Sequence, residues 1–531
     1  MSITLIRPPF CPTGFDQQFQ EPLNLAYLAA VLRREGFEVH LLDAEFAELT
    51  VEAILREVAA DAPSLVGISV MSDGSLPGAL RIAEGVRRWA APESHVTAGG
   101  HFATFRTEYL LRMVPEMDSV VLFEGETAIV DLARLVLSGD EWHHARGIAF
   151  LDDGRGVSRT ARADPVVDLD TLPFPARDLL PKAIRLGLMP AVLSSRGCSG
   201  ACSFCSIHRF VRKSSGRAWR GRSPGNVVAE VRTLVENFRV GEVGFLDDDF
   251  IGTRGRGRQR ARAIAERLTR ERLDVLFNLE CRPDMIDRET FSALREAGLR
   301  SVFLGVEAVA PEAVRTFNKG VPRATAERAL KTLDDLDIQA DVGFILYHPY
   351  VTMEEIWEGY SFLKAHGQLD VHTALNRMFV TPGAPIRERL IDEGRLAGEA
   401  TERSLGAETY DWIDPRVGDL LAVLHVAVFP LFRPWYNGLK EYRRVRSTRK
   451  FATDERVADD RMKVLWAYVR SVDEIVQHCF EEAYAVATRP RKAADELLTV
   501  SRRLRDEAMA DIRALARRSS CEAFLTADCR W

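Results

Sequence analysis

Cysteine is scarce and unevenly placed, eight in 531 residues: Cys11, Cys198, Cys202, Cys205, Cys281, Cys479, Cys521 and Cys529. A secreted disulfide scaffold would carry more of them in less chain, so a reducing, cytoplasmic setting is expected. Long apolar runs are missing too. The longest, LLAVLHVAVFPLF at residues 420–432, falls short of the ~20 residues of a spanning helix and contains Pro430. A buried or interfacial helix is expected there, with no membrane partner. The opening residues, MSITLIRPPF, offer five apolar positions before Arg7 and read as a first strand, not a secretory leader. Excess positive charge is absent as well. A formal net charge of -6 with 28% charged residues argues against a broad nucleic-acid footprint. No internal repeat or low-complexity tract is visible.

What the chain does contain is 46% hydrophobic residues, enough for two to four domains with cores of their own. Residues 1–140 alternate strand and helix patterns. SITLIRPP, EVHLLDA, SLVGISV, HVTAGG and DSVVLFEG read as strands, with helices such as LNLAYLAAVLRREGF and AIVDLARLVLSG between them. Short β-rich runs separated by three-turn helices predict a doubly wound, Rossmann-like α/β domain with a parallel sheet. Small residues at Ser69, Gly99, Gly100 and Gly125 lie at its carboxyl edge, where such sheets bind ligands. Residues 141–188, with DDGRG and LPFPARDLLP, have turn chemistry and read as a linker. From 189 to 395 the alternation resumes. MPAVLSS, EVGFLDDDF, DVLFNLECR, SVFLGVE, ADVGFIL and VHTALNRMFV are six strand candidates, which predicts a partial (β/α)6 TIM barrel with chemistry at the strand ends. Residues 396–531 predict a mainly helical C-terminal domain.

The loop leaving the first of these strands, SSRGCSGACSFCSIH, sets Cys198, Cys202 and Cys205 at C-x3-C-x2-C spacing. Closed metal sites take four ligands, and His208 would complete a Cys3His zinc tetrahedron. The other reading is a [4Fe-4S] cluster on three thiolates, with one iron open to the amine and carboxylate of a small molecule. Spacing alone leaves both open. The setting favours the cluster: the loop follows a barrel strand, Phe204 precedes the third cysteine, and acidic residues end the next strands. A zinc knuckle needs none of these.

The CxxxCxφC pattern of Cys198, Cys202, Phe204 and Cys205 resembles the signature of the radical S-adenosylmethionine (SAM) enzymes. The resemblance implies that SAM fills the open position. It implies too that an electron from an external flavodoxin- or ferredoxin-type donor splits SAM to a 5′-deoxyadenosyl radical. Cofactor contacts are implied for Phe204, for Asp247 and Asp248 in GFLDDDF (to the SAM ammonium), for Glu280 and Arg282 in NLECRPDMI, and for Glu307 in FLGVEA. The fifth strand departs from the family's Gly-x-Pro-Gly turn. There GFILYHPYVTMEEI sets Tyr347 and His348 at the active-site edge, as catalytic acid–base groups or as packing against adenine or substrate. TPGAPI, residues 381–386, resembles a structural turn of the same family.

PLNLAYLAAVLRREGFEVHLLDA, VGISV, AGGHFATF and FEGETA closely resemble the cobalamin (B12)-binding domain that precedes many radical SAM barrels. A corrin is then expected near Ser69, Met71, Ser72, Gly99, Gly100, His101, Gly125 and Glu126. No DxHxxG motif occurs, and the only histidine before residue 95 is His40, inside a strand. The resemblance therefore implies base-off cobalamin without a histidine lower ligand. No GxGxxG opens a helix near the first strand, which argues against a nucleotide-binding module. Together the two resemblances imply a radical SAM C-methyltransferase, methylating an unactivated carbon of a small-molecule natural product with methylcobalamin. Oxidation, cyclisation or ring rearrangement with the same cofactors is the alternative. In GTRGRGRQRARAIAERLTRER, from Gly252, apolar residues at helical spacing predict arginines on a solvated face and no nucleic-acid contact. Cys11 is expected to pack, not to react.

Overall fold

Aliphatic residues fill the first strands because helices cover both faces of their sheet, so β1 (Ser2–Arg7) and β3 (Leu65–Ser69) are buried almost throughout. The computed structural model describes residues 2–10, 21–47, 49–152, 156–397, 409–448, 455–489 and 494–526; Cys11 and Cys529 lie outside them. β2 (Glu38–Asp43), β4 (His95–Gly99) and β5 (Ser119–Val121) join β1 and β3 in a parallel sheet ordered 2-1-3-4-5. Ile3 stands opposite Val39 on one side and Leu65 on the other. The order reverses between β1 and β3, the position at which doubly wound sheets open a crevice at their carboxyl edge.

β6 (Ile148–Asp152) and β7 (Gly156–Arg159) extend this sheet antiparallel. Part of the stretch read as a linker is therefore sheet. Its strands are only five and four residues long, and the turn-rich sequence around them hides their alternation.

The chain divides into two compact units, residues 1–273 with 380–409, and residues 274–379 with 410–531. The division falls inside the expected barrel, not at its edges. In the first unit, β8 (Ala191–Val192) pairs parallel with β11 (Glu242–Phe245). MPAVLSS is not one strand: after β8 the chain turns into β9 (Ser195–Gly197), antiparallel to β10 (Trp219–Gly221). At the end of β9, Gly197 has φ +89, and a Cβ there would sit 2.2 Å from the Ala218 carbonyl oxygen. One arginine of the basic stretch is not solvated as expected. Arg260 donates to the carbonyls of Arg222 (2.7 Å) and Ser194 (2.5 Å) and lies over the Trp219 ring.

The second unit holds β12 (Leu276–Cys281), β13 (Leu299–Glu307) and β14 (Gln339–Phe344), all parallel. The expected sixth strand is absent. Asp370 and Thr373 form a capping box, with the Thr373 N–H 2.7 Å from the Asp370 carboxylate, and start the helix Val371–Leu375 instead. Only an isolated bridge, Tyr347 to Arg377, remains of the sixth pairing. The C-terminal stretch is helical as expected, with Pro415–Val428, Phe432–Thr448, Glu455–Ala487 and Ala494–Arg518 packed on one another. The run Pro415–Arg446 has the length and composition of a membrane-crossing helix. However, a 3-10 turn at Phe429–Leu431 interrupts it, and Leu420, Leu424 and Val428 are buried in protein.

In the first sheet, Ile82 on the helix Leu76–Gly85 is fully buried. Ile82→Ala is expected to lower unfolding stability by about 2–5 kcal/mol through lost burial and a residual cavity. Denaturant unfolding followed by circular dichroism checks this.

Candidate cofactor-binding site

The three cysteines lie between β9 and the helix Ile207–Ser215. A turn closes the loop, with the Cys205 N–H 3.2 Å from the Cys202 carbonyl. The Gly200 N–H donates to the Cys198 sulfur at 3.3 Å. Burial, together with Asp248 and the other two thiols, pushes the Cys205 thiol up to about 12. A cationic metal centre on this loop is what would hold its thiols as thiolates. Among the described residues no three His, Cys, Asp or Glu side chains converge on one metal ion, so the Cys3His tetrahedron is not formed. His208 is half-buried with its Nδ1 unpartnered.

A cavity of about 260 Å³ opens at the carboxyl edge of the first sheet, a concave site at the edge where doubly wound sheets bind ligands. Ser69, Met71, Gly99, Gly100, His101, Gly125 and Glu126 line it, seven of the eight positions expected near a corrin. Ser72 does not; its side chain belongs to a capping box with Ser75. Gly100 has φ +112, and a Cβ there would lie 2.8 Å from the Met71 sulfur. The cavity reaches down to mid-strand, where Gly67 leaves room beside Leu5 and Thr97. Its opposite wall comes from the cysteine-loop region: Arg196, Ile207, Phe210, Val211 and Asp248. His101 stacks face to face on Phe210, ring centroids 3.9 Å apart. Burial lowers its imidazole to about 4, so it is neutral at pH 7.

Two buried arginine–glutamate networks hold these walls together. Arg196 reaches Glu126 at 2.6 Å and Glu124 at 3.5 Å, and Arg220 clamps Glu124 from the other side. None of the four side chains is more than 14% exposed. Arg177 bridges Glu21 and Glu230, and Arg222 meets Glu230 at 2.5 Å. Burial pushes the Glu126 carboxyl up, but Arg196 and Arg220 outweigh it and hold the group below its usual range.

The acidic pair after β11 divides its work. Asp247 accepts from the hydroxyls of Ser194 (3.0 Å) and Ser195 (2.5 Å), and burial raises it to about 6. Asp248 accepts from the Gly197 N–H at 2.9 Å and lines the cavity. Phe204 is half-buried. The TPGAPI turn is stitched to the cysteine loop, the Ile386 N–H donating to the Ser203 carbonyl at 2.8 Å.

In the second unit, Glu307 ends β13 with φ +68, a costly backbone for a non-glycine residue, and pairs with Lys319 at 3.3 Å. Arg282 donates to Asp284 (3.0 Å) and to the Lys319 carbonyl (2.9 Å), so it organises the ends of β12 and β13. Glu280 is half-buried on β12. Tyr347 is fully buried and its hydroxyl donates to the Ala374 carbonyl at 3.0 Å. Burial raises it well above its usual range. His348 is buried edge-on to Phe317 with both ring nitrogens unpartnered, and burial lowers it to about 3.

Two families of known proteins share these sequences. Residues 17–133 match the B12 binding domain and residues 192–363 match the Radical SAM superfamily. The chain is a radical SAM enzyme with a B12-binding domain. These two domains imply a [4Fe-4S] cluster, SAM and cobalamin as cofactors. Over 362 residues it is 29% identical to the uncharacterized methyltransferase PH0819 of Pyrococcus horikoshii, covering 66% of this chain and 74% of that one. It is 29% identical over 340 residues to the hopanoid C-3 methylase of Methylococcus capsulatus, covering 61% of each. It is 27% identical over 355 residues to the anaerobic magnesium-protoporphyrin IX monomethyl ester cyclase of Cereibacter sphaeroides, covering 64% of this chain and 55% of the cyclase. In fold it is similar to the cobalamin-dependent radical enzyme OxsB solved with aqua-cobalamin and SAM (TM-score 0.77, 17% identity, 99% of this chain and 83% of that one). It is similar also to the radical SAM methyltransferase TsrM of Kitasatospora setae (TM-score 0.61, 20% identity, 74% and 75%).

Sequence reasoning missed Asn24, Tyr27, Leu28, Phe123, Glu124, Arg196 and Phe210, all of which line the radical SAM enzyme's cavity. Asn24 donates to Ser69 at 2.9 Å, and Phe123 sits at φ +61. PLNLAY and FEGE contain four of these seven residues, so the signal was present but carried no side-chain direction. Arg196→Ala would strand Glu126 inside and leave Glu124 to Arg220 alone, at an expected cost of about 3–5 kcal/mol. Arg146→Ala, which removes an exposed pair with Asp164, is expected to change stability by no more than about 1 kcal/mol. Parallel denaturant titrations of the two variants test the difference.

Proposed function

We propose that this enzyme is a cobalamin-dependent C-methyltransferase acting on an unactivated carbon of a small molecule, with Cys198, Cys202 and Cys205 holding the cluster. The observation that carries the reading is one cavity walled on one side by the carboxyl ends of β3 and β4 and on the other by the helix that leaves the three-cysteine loop. When bound, the cluster with SAM supplies a 5′-deoxyadenosyl radical for hydrogen abstraction, and cobalamin supplies the methyl group. The chain's own residues do the rest. Gly100 and Gly67 give the corrin close approach, Phe210 and His101 form an apolar floor, and the Arg196 and Arg220 networks keep charged groups fixed and water out. In the first unit Asp248 and Phe204 are assigned to SAM by the family resemblance; in the second unit Glu280 and Glu307 are assigned likewise, and there Arg282 and Lys319 hold the β12 and β13 ends.

Base-off cobalamin is supported by His101 being the one histidine among the residues lining the cavity, with its ring stacked on Phe210. The methyltransferase reading is supported by the methylases among the relatives. A second reading keeps both cofactors without methyl transfer, and the cyclases and the 4'-phospho-dehydrooxetanocin synthase among the relatives favour it. A cytoplasmic setting, without membrane or nucleic-acid partners, completes the proposal.

Anaerobic incubation of reconstituted enzyme with hydroxocobalamin, SAM and a chemical reductant, followed by mass spectrometry, tests it. Wild type is expected to form 5′-deoxyadenosine, S-adenosylhomocysteine and methylcobalamin. Cys202→Ala is expected to drop deoxyadenosine to background. Deoxyadenosine without methylcobalamin moves the assignment to the second reading, and undiminished deoxyadenosine in Cys202→Ala ends the cluster assignment.

A further inference from the structure

The helix Ile207–Ser215 has two very different faces. Ile207, Phe210 and Val211 line the cavity at the sheet edge, while Arg212 and Lys213 are exposed on the other side. A second recess, of about 260 Å³, lies beside this outer face. Arg159, Arg162 and Lys213 line it, and it shares Phe123 and Glu124 with the first. Arg159, Arg162, Arg212 and Lys213 are all exposed, and none carries an ion pair among the described residues. The two carboxylates at the recess are already balanced: Glu124 by Arg196 and Arg220, Asp164 by Arg146. Glu388, itself paired with Arg209, also acts electrostatically on Lys213. Four cations without an ion pair among the described residues therefore gather on a chain whose net charge is -6. Lys213 lies about 9 Å along the helix from Ile207, which itself follows Cys205 by two residues.

We propose that this recess and the outer face of Ile207–Ser215 are the docking surface for an acidic one-electron carrier protein. The inference rests on the functional reading above, which needs an electron delivered to the three-cysteine loop. One electron leaves the carrier's reduced cofactor, which is oxidised by one unit. The [4Fe-4S]2+ cluster gains it and becomes [4Fe-4S]1+, with no proton moved. Unpaired cations on a rim steer an acidic partner and set its orientation without adding much buried contact. This suits a carrier that must bind, deliver and leave. A small anion would engage the recess alone; a carrier protein also engages Arg212, which lies outside it.

Binding of flavodoxin, an acidic carrier, to the reconstituted holoenzyme is titrated at low salt and at about 0.15 M salt. Deoxyadenosine formation driven by titanium(III) citrate is measured alongside. Wild type is expected to bind flavodoxin more weakly as salt rises. The pairs Arg212→Glu with Lys213→Glu, and Arg159→Glu with Arg162→Glu, are each expected to raise Kd by about tenfold or more. Deoxyadenosine driven by titanium(III) citrate is expected to stay at the wild-type level. Unchanged Kd in both variants overturns the proposal, as does absence of binding at low salt by flavodoxin and by a bacterial ferredoxin. Loss of titanium-driven turnover in step with binding assigns these residues to structure instead. Millimolar phosphate protecting the fold while flavodoxin ignores the surface would make the recess a small-anion site and likewise overturn it. If wild type yields no deoxyadenosine even with titanium(III) citrate, the functional reading fails while the binding titration still decides the surface.

Discussion

The pairing of Arg196 and Arg220 with Glu124 and Glu126 is the constraint on which the cofactor site depends. The carboxylates sit at the loop after β5, and the guanidiniums sit on β9 and β10, the two strands that flank the cysteine loop. Removing charge from water is expensive, so such a network holds only when every partner is in place. Its geometry therefore locks the cysteine hairpin to the edge of the first sheet in one register. Glu230, shared by Arg177 and Arg222, repeats the device one layer deeper. Without these pairs the cavity would lose one wall, since Arg196 and the helix after the cysteines form it.

Positive φ recurs at strand ends in both units. Gly100, Phe123 and Glu307 all adopt positive φ at strand ends, and in the case of the two non-glycine residues this costs backbone energy that surrounding packing must offset. Phe123 is held by a hydrogen bond from its N–H to Thr104 at 2.9 Å and by edge contact with Phe210. The interior around the cysteines disfavours isolated charge: burial raises Asp247, Asp248 and the Cys205 thiol alike. A cationic centre on the three sulfurs is the natural complement of such an environment.

Much of this was legible in the chain itself. Strand and helix periodicity marked the parallel sheet, and the cysteine spacing marked the loop. Small residues at strand ends marked four positions that do line the cavity, and the resemblance to B12-binding domains marked three more. Legibility failed where a local motif competed with periodicity. Asp370 and Thr373 begin a helix where VHTALNRMFV looked like a strand, and β6 and β7 are too short to stand out from turn residues. It failed again for side chains whose role depends on a distant partner. Arg260 reads as one more surface arginine until its hydrogen bonds to residues 194 and 222 are seen. The hydrogen bond from Tyr347 to the Ala374 carbonyl is likewise seen only in the fold.

The sequence by itself determined the order of the elements, the three thiols and the glycines, because these depend on residue type and on spacing along the chain. Only the tertiary structure decided which arginine meets which glutamate across separations of 70 and 96 residues. It also decided that the two faces of one short helix serve a buried cavity and an exposed basic rim. Those outcomes depend on burial and on direction in space, and a side chain's environment is set by neighbours that local sequence does not contain.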